Sequence, residues 1–293
     1  MKKLLILSGK GGTGKTTTAG AFISYSKTKT FADCDVDAPN LHIISKFENQ
    51  PRQKDYMGSP KSKIDTEKCI GCGLCAEKCR FNSIERVGSK YKINEYACEG
   101  CGVCELVCPV GAAKLYPDVA GEVSVYEDER LFATAELKMG RGTSGKLVAE
   151  VKSTLNNEIK EKGLNETEKL TIIDGSPGIG CPVIASISGV DMILIITEPT
   201  LSGMSDMKRI LKTAEIFKVP TAVCINRADL SEVVANKIID FCDENKIIYV
   251  GKVPYDKTVS VAVNNGKSIA EYDTPANKAL RKVYDKVVET LLV

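Results

Sequence analysis

Three things are scarce in this chain of 293 residues: charge of one sign, histidine and long apolar runs. Forty lysines and arginines face 38 aspartates and glutamates, for a formal net charge of +2. That balance argues against a surface built to bind nucleic acid through its phosphates. No apolar stretch approaches the roughly 20 residues that span a bilayer, so no membrane span is expected. The single histidine, His42, reads as a surface or packing residue rather than a ligand. Met1 to Ser8 has the basic start and apolar body of a signal peptide, but it is short and runs straight into a glycine-rich loop, so it reads as a buried strand. What the chain does have is 43% hydrophobic residues, ample for a packed core in one large domain or two ordinary ones, and 12 cysteines. A soluble, globular protein is expected.

The loop Gly9-Lys10-Gly11-Gly12-Thr13-Gly14-Lys15-Thr16, followed by Thr17, fits the pattern G-x-x-x-x-G-K-[ST] between an apolar strand and a helix. Its glycines let backbone N–H groups curl around phosphate oxygens, Lys15 neutralises the β and γ groups, and the Thr16 hydroxyl is placed for Mg2+. A near match, Gly140 to Leu147, has leucine where that hydroxyl belongs and reads as a loop and helix start.

Eight of the cysteines form two runs of spacing C-x2-C-x2-C-x3-C: Cys69, Cys72, Cys75, Cys79 and Cys98, Cys101, Cys104, Cys108. Four-cysteine zinc sites usually separate two CxxC knuckles by a longer spacer. The spacing is that of a bacterial two-cluster ferredoxin, in which the fourth cysteine of each run serves the other run's cluster. Two 4Fe-4S clusters are therefore expected, one on Cys69, Cys72, Cys75 and Cys108, the other on Cys98, Cys101, Cys104 and Cys79. Gly71, Gly73, Gly100 and Gly102 let backbone amides approach the sulfurs. Pro109 follows the second run as usual; Arg80 takes that place in the first. Metal-bound thiolates together with nucleotide use point to a reducing cytoplasm rather than to disulfides.

With Lys10 inside the loop, GKGGTGKT resembles the deviant phosphate-loop ATPases, the MinD/ParA family and the nitrogenase iron protein. The resemblance implies an ATP-sandwich dimer, of two copies or of this chain with a paralogue, in which Lys10 reaches the partner's phosphates as an arginine finger would. Asp33 to Leu41 looks like the family's first switch, with Asp35 orienting the attacking water or the metal shell. Asp174 to Gly180, including Gly178, looks like the Walker B aspartate and second switch. Asn226, Pro254 and Asp256 resemble the adenine-binding elements. No N/T-K-x-D guanine motif follows, since Asn226 leads into Arg227-Ala228-Asp229. ATP or ADP with Mg2+ is thus implied, with Lys10, Lys15 and Asp35 as the catalytic set. Cys181 follows Asp174 at the interval of the cysteine that holds a cluster between two subunits in the iron protein, so the resemblance offers a bridging cluster at Cys181 as a minority expectation; no cysteine lies between Cys108 and Cys181 to supply the second ligand that protein uses. Of the other cysteines, Cys224 and Cys242 fall in apolar runs and read as inert.

The expected fold is α/β: a doubly wound, mostly parallel sheet of phosphate-loop type over 1–58 and 117–293, carrying an inserted small α+β ferredoxin-like domain over 59–116. Strands are expected at Lys3 to Ser8, to about Ala32, from Val123 through Leu137, and at the apolar runs Leu170–Asp174, Met192–Thr197, Thr221–Asn226 and Ile247–Val250. A last helix, Ala276 to Val293, aligns Leu280, Val283, Val287 and Leu291 for core packing. The function these features imply is an ATPase whose nucleotide state is coupled to electron transfer towards an unidentified redox partner. The alternatives are an iron-sulfur carrier that delivers clusters to an acceptor protein, and a ParA-like positioning ATPase with structural clusters.

Overall fold

The computed structural model describes residues 1–292, and the chain divides into two compact units. The first comprises Met1–Gln53, Val123–Glu136 and the chain from Ser144 onward; the second comprises Lys54–Glu122 and Leu137–Thr143.

In the first unit the strands are β1 (Lys2–Ser8), β2 (Thr30–Asp33), β3 (Val119–Glu127, in this unit from Val123), β4 (Leu131–Leu137), β5 (Leu170–Pro177), β6 (Met192–Thr197), β7 (Thr221–Asn226) and β8 (Ile248–Val253). The helices are α1 (Lys15–Ser26), α2 (Leu41–Ser45), α3 (Ser144–Glu161), α4 (Leu164–Thr167), α5 (Cys181–Ile187), α6 (Leu201–Ile216), α7 (Glu232–Glu244), α8 (Lys257–Asn264) and α9 (Pro275–Leu292). The sheet order is β8-β7-β6-β1-β5-β2-β4-β3, and every pairing from β8 to β4 is parallel. Parallel neighbours need long crossovers, which the helices supply, and strands covered on both faces are free to be apolar throughout. Central β1 meets that description: Leu4, Leu5, Ile6 and Leu7 are wholly buried. On one face Phe22, Phe31 and Phe132 join Leu280, Val283, Val287 and Leu291 of α9 in one core. Each such aliphatic side chain contributes about 1.5–3 kcal/mol when fully buried.

Parallel register brings the strand ends that matter to one edge. Asp174 on β5 is the register partner of Asp33 on β2, and Ser8 at the end of β1 lies opposite Pro177. The phosphate loop therefore begins beside Asp33, which ends β2, and Asp174, three residues before the end of β5, at the carboxyl edge where α/β sheets hold their ligands.

Three expectations change. The strand expected from Val123 through Leu137 is two strands, β3 and β4, because Asp128 and Arg130 make a turn: the Asp128 carboxylate accepts from the Arg130 backbone N–H at 2.6 Å and from its Nε at 3.1 Å. The strand expected over Leu170–Asp174 continues to Pro177. The strand expected over Ile247–Val250 runs Ile248–Val253. The last helix packs its expected face inward; Val293 lies outside the described residues. Among the described residues no helix is long and apolar enough to cross a membrane.

The second unit contains two antiparallel two-strand ladders, Lys61–Ile64 with Ala113–Tyr116 and Ile84–Val87 with Lys90–Ile93. Two short helices, Leu74–Glu77 and Val103–Val107, accompany them. Its buried apolar side chains are small: Cys69, Cys98, Cys104, Ala112, Ala113 and Ala120.

Candidate nucleotide site and cysteine cages

The phosphate loop turns on Gly12 and Gly14, whose φ angles of +78° and +92° favour glycine. A side chain at Gly14 would also collide with the Asn226 amide. From the start of α1, Lys15 Nζ reaches Asp174 Oδ1 at 2.9 Å and Asp35 Oδ2 at 3.6 Å. Thr16 Oγ1 donates to the other Asp174 oxygen at 2.6 Å. Asp174 is wholly buried, so the loop's lysine and hydroxyl neutralise a carboxylate that water cannot reach. Burial would lower the Lys15 ammonium, but Asp174, Asp33 and Asp35 outweigh it and hold its pKa above the ordinary value. Burial pushes Asp35 up, with Lys15 opposing. Asp33 rises to about 7, driven by burial and then by Asp174.

Asp33 organises the loop that follows it. Its carboxylate accepts from the N–H groups of Asp35 at 2.9 Å, Asn40 at 2.9 Å and Leu41 at 3.0 Å, closing the loop that carries Asp35. On the other side Gly178 has a φ of +91° and donates its N–H to Ser8 O at 2.9 Å, which ties the segment after Asp174 to the end of β1.

Asn226 grips the phosphate loop directly: its Nδ2 donates to Thr13 O at 2.7 Å, and its Oδ1 accepts from the Arg227 N–H at 3.0 Å. Asp256 follows Pro254 and Tyr255 as the cap of α8, accepting from Thr258 N–H at 2.9 Å and from Ala276 N–H at 3.4 Å. Gly9 packs against the Asp206 side chain, which leaves no room for a Cβ, whereas Gly11 has open space beside it; Thr17 lies in the first turn of α1. Lys10 pairs within its own chain, with Nζ 3.2 Å from Glu198 Oε2, while Arg227 Nη1 takes the other oxygen at 2.7 Å. The Glu198 side chain is 7% exposed against 40% for each cation, so the carboxylate is the enclosed partner and both cations face solvent.

Sequence reasoning placed Asp33 in the first switch without its loop-closing role, and missed the pairing of Glu198 with Lys10 and Arg227. The available signal was a charged residue placed directly after or at the end of an apolar strand, a position where a buried charge has to be paired. It also missed Lys152 on α3, whose Nζ donates to the carbonyls of Ala185 at 3.0 Å, Ser186 at 2.6 Å and Ser188 at 2.5 Å, at the end of α5. Lys152→Met is expected to lower stability by about 1–3 kcal/mol, because those carbonyls lose their donor; urea unfolding measures it. Cys181 opens α5 with an exposed thiol.

In the second unit the eight cysteines line two cavities. One is lined by Cys79, Cys98, Cys101 and Cys104; the other by Cys69, Cys72, Cys75 and Cys108. Each takes three cysteines from one run and the fourth from the other. Among the described residues no three or more His, Cys, Asp or Glu side chains converge as they would on a single metal ion. Four sulfurs spread around a cavity suit a multi-atom group instead, and the surroundings suit sulfur that carries charge. Burial would raise Cys108, but the N–H groups of Ala113, Val110, Ala112 and Gly111 outweigh it and hold the thiol below its usual value. Cys79 is held down in the same way, against burial, by the Ser83 hydroxyl and the N–H groups of Ser83, Phe81 and Asn82. Gly71 and Gly100, with φ of +72° and +68°, press against the carbonyls of Ser89 and Pro60, leaving no room for a side chain.

Residues 4–269 match the model of the CobQ/CobB/MinD/ParA nucleotide binding domain. Two uncharacterized proteins of Methanocaldococcus jannaschii are similar along their length: one is 31% identical, covering 98% of this chain and 96% of its own, the other 28% identical with 94% of each covered. Among solved structures, the MinD cell division protein of Aquifex aeolicus superposes with a TM-score of 0.55 at 17% identity, over 99% of this chain and 97% of that one. The septum site-determining protein MinD complexed with Mg-ADP, from Pyrococcus horikoshii, gives 0.58 at 15% identity, over 99% and 96%. These two share the fold, and the match over most of the chain settles the lineage: this protein belongs to the CobQ/CobB/MinD/ParA family of nucleotide-binding domains.

Proposed function

We propose that the chain is an ATP-driven switch whose nucleotide state governs electron transfer through two 4Fe-4S clusters. The observation that carries this reading is the presence in one polypeptide of a phosphate loop locked to Asp174 by Lys15 and Thr16 and of two cavities each lined by four cysteines. The second unit is then a ferredoxin-like domain, and the cytoplasm is the compartment that supplies both nucleotide and reduced thiols.

At the nucleotide site Lys15 and the loop N–H groups would hold the β and γ phosphates, Thr16 and Asp35 the Mg2+ shell, and Asn226 with the Pro254 to Asp256 segment the adenine. Asp174 holds Lys15 and Thr16. Phosphate and metal would compete for those partners, so ligand binding has to rearrange the loops that carry Asp35 and Gly178. A ligand shifts a conformational equilibrium only by its differential affinity for the two states, and this exchange of partners is where the difference would arise. Lys10 would leave Glu198 for the phosphates of a partner subunit, either a second copy or a paralogue. Lys10→Ala is expected to abolish nucleotide-dependent dimerisation and to slow hydrolysis by a factor of about 10³ or more, as loss of a trans-acting cation does. Sedimentation and phosphate release measure the two effects; if both survive, the trans role is wrong.

In the cages the cysteine thiolates would each hold one iron, and the chemistry supplied there is one-electron transfer. Electron paramagnetic resonance of the anaerobically reduced protein, with and without Mg-ATP, tests the coupling: a nucleotide-dependent change in spectrum or midpoint is expected, and identical spectra would reject it. A second reading draws on the exposure of Cys72 and Cys101, one in each cage. A carrier would release its clusters there to an apo-acceptor under mild chelation, whereas a relay retains them through repeated reduction. Unchanged iron content in Cys181→Ser would leave the eight cage cysteines as the whole ligand set.

A further inference from the structure

Shifted by 29 positions, the sequence of the second unit overlays itself: Lys61 falls on Lys90, and Cys69, Cys72, Cys75 and Cys79 fall on Cys98, Cys101, Cys104 and Cys108. The structure repeats with it. Lys61 Nζ donates to Cys98 O at 2.5 Å, and its equivalent Lys90 donates to Cys69 O, so each cage has an ammonium on the carbonyl of its first cysteine. The strand that opens each repeat pairs with the strand that closes the other, and the sulfurs of Cys79 and Cys108 each accept from backbone N–H groups of the residues that follow them. Scaffold and cation are thus matched between the cages, and the amides differ by one, four on Cys108 against three on Cys79.

The hydroxyls are not. Ser62 Oγ lies 3.0 Å from Cys104 Sγ, and Ser83 Oγ lies 3.2 Å from Cys79 Sγ. Both serines are buried, and both serve the same cage. At the equivalent positions of the other cage stand Tyr91 and Ala112. Ala112 offers Cys108 Sγ its backbone N–H at 3.2 Å and nothing more. Among the described residues no hydrogen bond joins Tyr91 to a cysteine sulfur, and the rest of that lining is apolar, with Ile64, Ile70 and Val110. A cysteine bound to iron has lost its proton, so each serine hydroxyl has to be the donor. A donor on a cluster sulfur favours the state carrying the extra electron, which raises the potential. Glu99, which lines the hydroxyl-rich cage where Ile70 lines the other, acts in the opposite sense, but it is exposed and its charge is screened by solvent.

We propose that the two cages are unequal in potential, and that Ser62 and Ser83 make the cage of Cys79, Cys98, Cys101 and Cys104 the place where an electron comes to rest, after leaving the cage of Cys69, Cys72, Cys75 and Cys108. The proposal rests on the reading that each cage holds a 4Fe-4S cluster. One electron moves, one cage being oxidised as the other is reduced, and a one-electron donor of the dithionite class suffices to load the first.

Redox titration of the anaerobic full-length protein, followed by low-temperature paramagnetic resonance, tests it. The wild type is expected to reduce in two separate steps. Ser62→Ala with Ser83→Ala lowers the higher step towards the lower one at unchanged iron content. Ala112→Ser, which adds a hydroxyl at the position equivalent to Ser83, raises the lower step; Glu99→Gln leaves the order of the steps unchanged. Coincident steps in the wild type, or a higher step unmoved in the iron-replete double variant, would overturn the inference while leaving the clusters in place. A protein purified without iron would instead overturn the reading beneath it.

Discussion

Lys15→Met is expected to eliminate ATP binding and, in the absence of nucleotide, to lower the stability of the first unit by about 3–5 kcal/mol, the cost of leaving a buried charge without its partner. The nucleotide-free site already depends on this residue. Its ammonium, 6% exposed, contacts Asp174, which is wholly inaccessible, and Asp35, which is 13% exposed. Methionine preserves the length of the side chain and much of its packing, so the loss falls on the charge. Asp174 would retain the Thr16 hydroxyl, and Asp33 would retain its three backbone donors, but neither set cancels a carboxylate charge. Calorimetric titration with Mg-ATP and urea unfolding measure the two effects separately. Undiminished binding would remove Lys15 from the phosphate site, whereas unchanged stability would mean that water reaches Asp174 when the lysine is gone. A partial rescue of stability by Mg2+ alone is also expected, since a divalent cation beside Asp174 and Asp35 replaces the missing charge.

The features legible in the sequence were those set by local pattern. Continuous apolar runs at Met192–Thr197 and Thr221–Asn226 became β6 and β7 with the expected bounds, because a strand buried on both faces has no reason to alternate. The inward face of α9 followed from its 3.6-residue period. The features missed were set by partners far apart in the chain. Nothing adjacent to Glu198 says that Lys10 and Arg227 will meet it. Nothing near Asp33 announces that its carboxylate will turn back to hold the N–H groups of Asn40 and Leu41. The break between β3 and β4 was written in the charged run Glu127 to Arg130, but the apolar residues on both sides masked it. In the second unit the spacing of the cysteines implied which four belong together; it did not imply that Ser62, seven residues ahead of one run, would lie against a sulfur of the other.

Stripping iron from the anaerobic protein with a chelator is expected to unfold the second unit while the first still binds ATP. The argument is one of core size. In the first unit, phenylalanine, leucine, isoleucine and valine side chains fill the space between sheet and helices. In the second, the buried apolar residues are three cysteines and three alanines, and the larger ones, Ile64, Phe81, Ile84 and Ile93, line the cysteine cavities rather than packing into a core of their own. Emptied of the groups that bridge them, those walls lose their contacts. Small domains with so little apolar surface depend on metal or covalent staples for their fold, and the binding free energy of the metal is then folding free energy. Lysines in the ladders, such as Lys61, Lys90 and Lys114, provide trypsin sites whose backbone is held in strand pairing while the unit is folded. Limited trypsin digestion should therefore cut between residues 61 and 114 after chelation, with the chain from Ser144 to Leu292 protected and Mg-ATP increasing that protection through linkage. Resistance of the 61–114 segment in iron-free protein would mean that the hydrogen-bonded ladders suffice without the clusters. Cys98→Ala with Cys101→Ala should reproduce the chelated pattern in part, since the second cage keeps its four cysteines and the strand Lys61–Ile64 remains tied to it through Ile64.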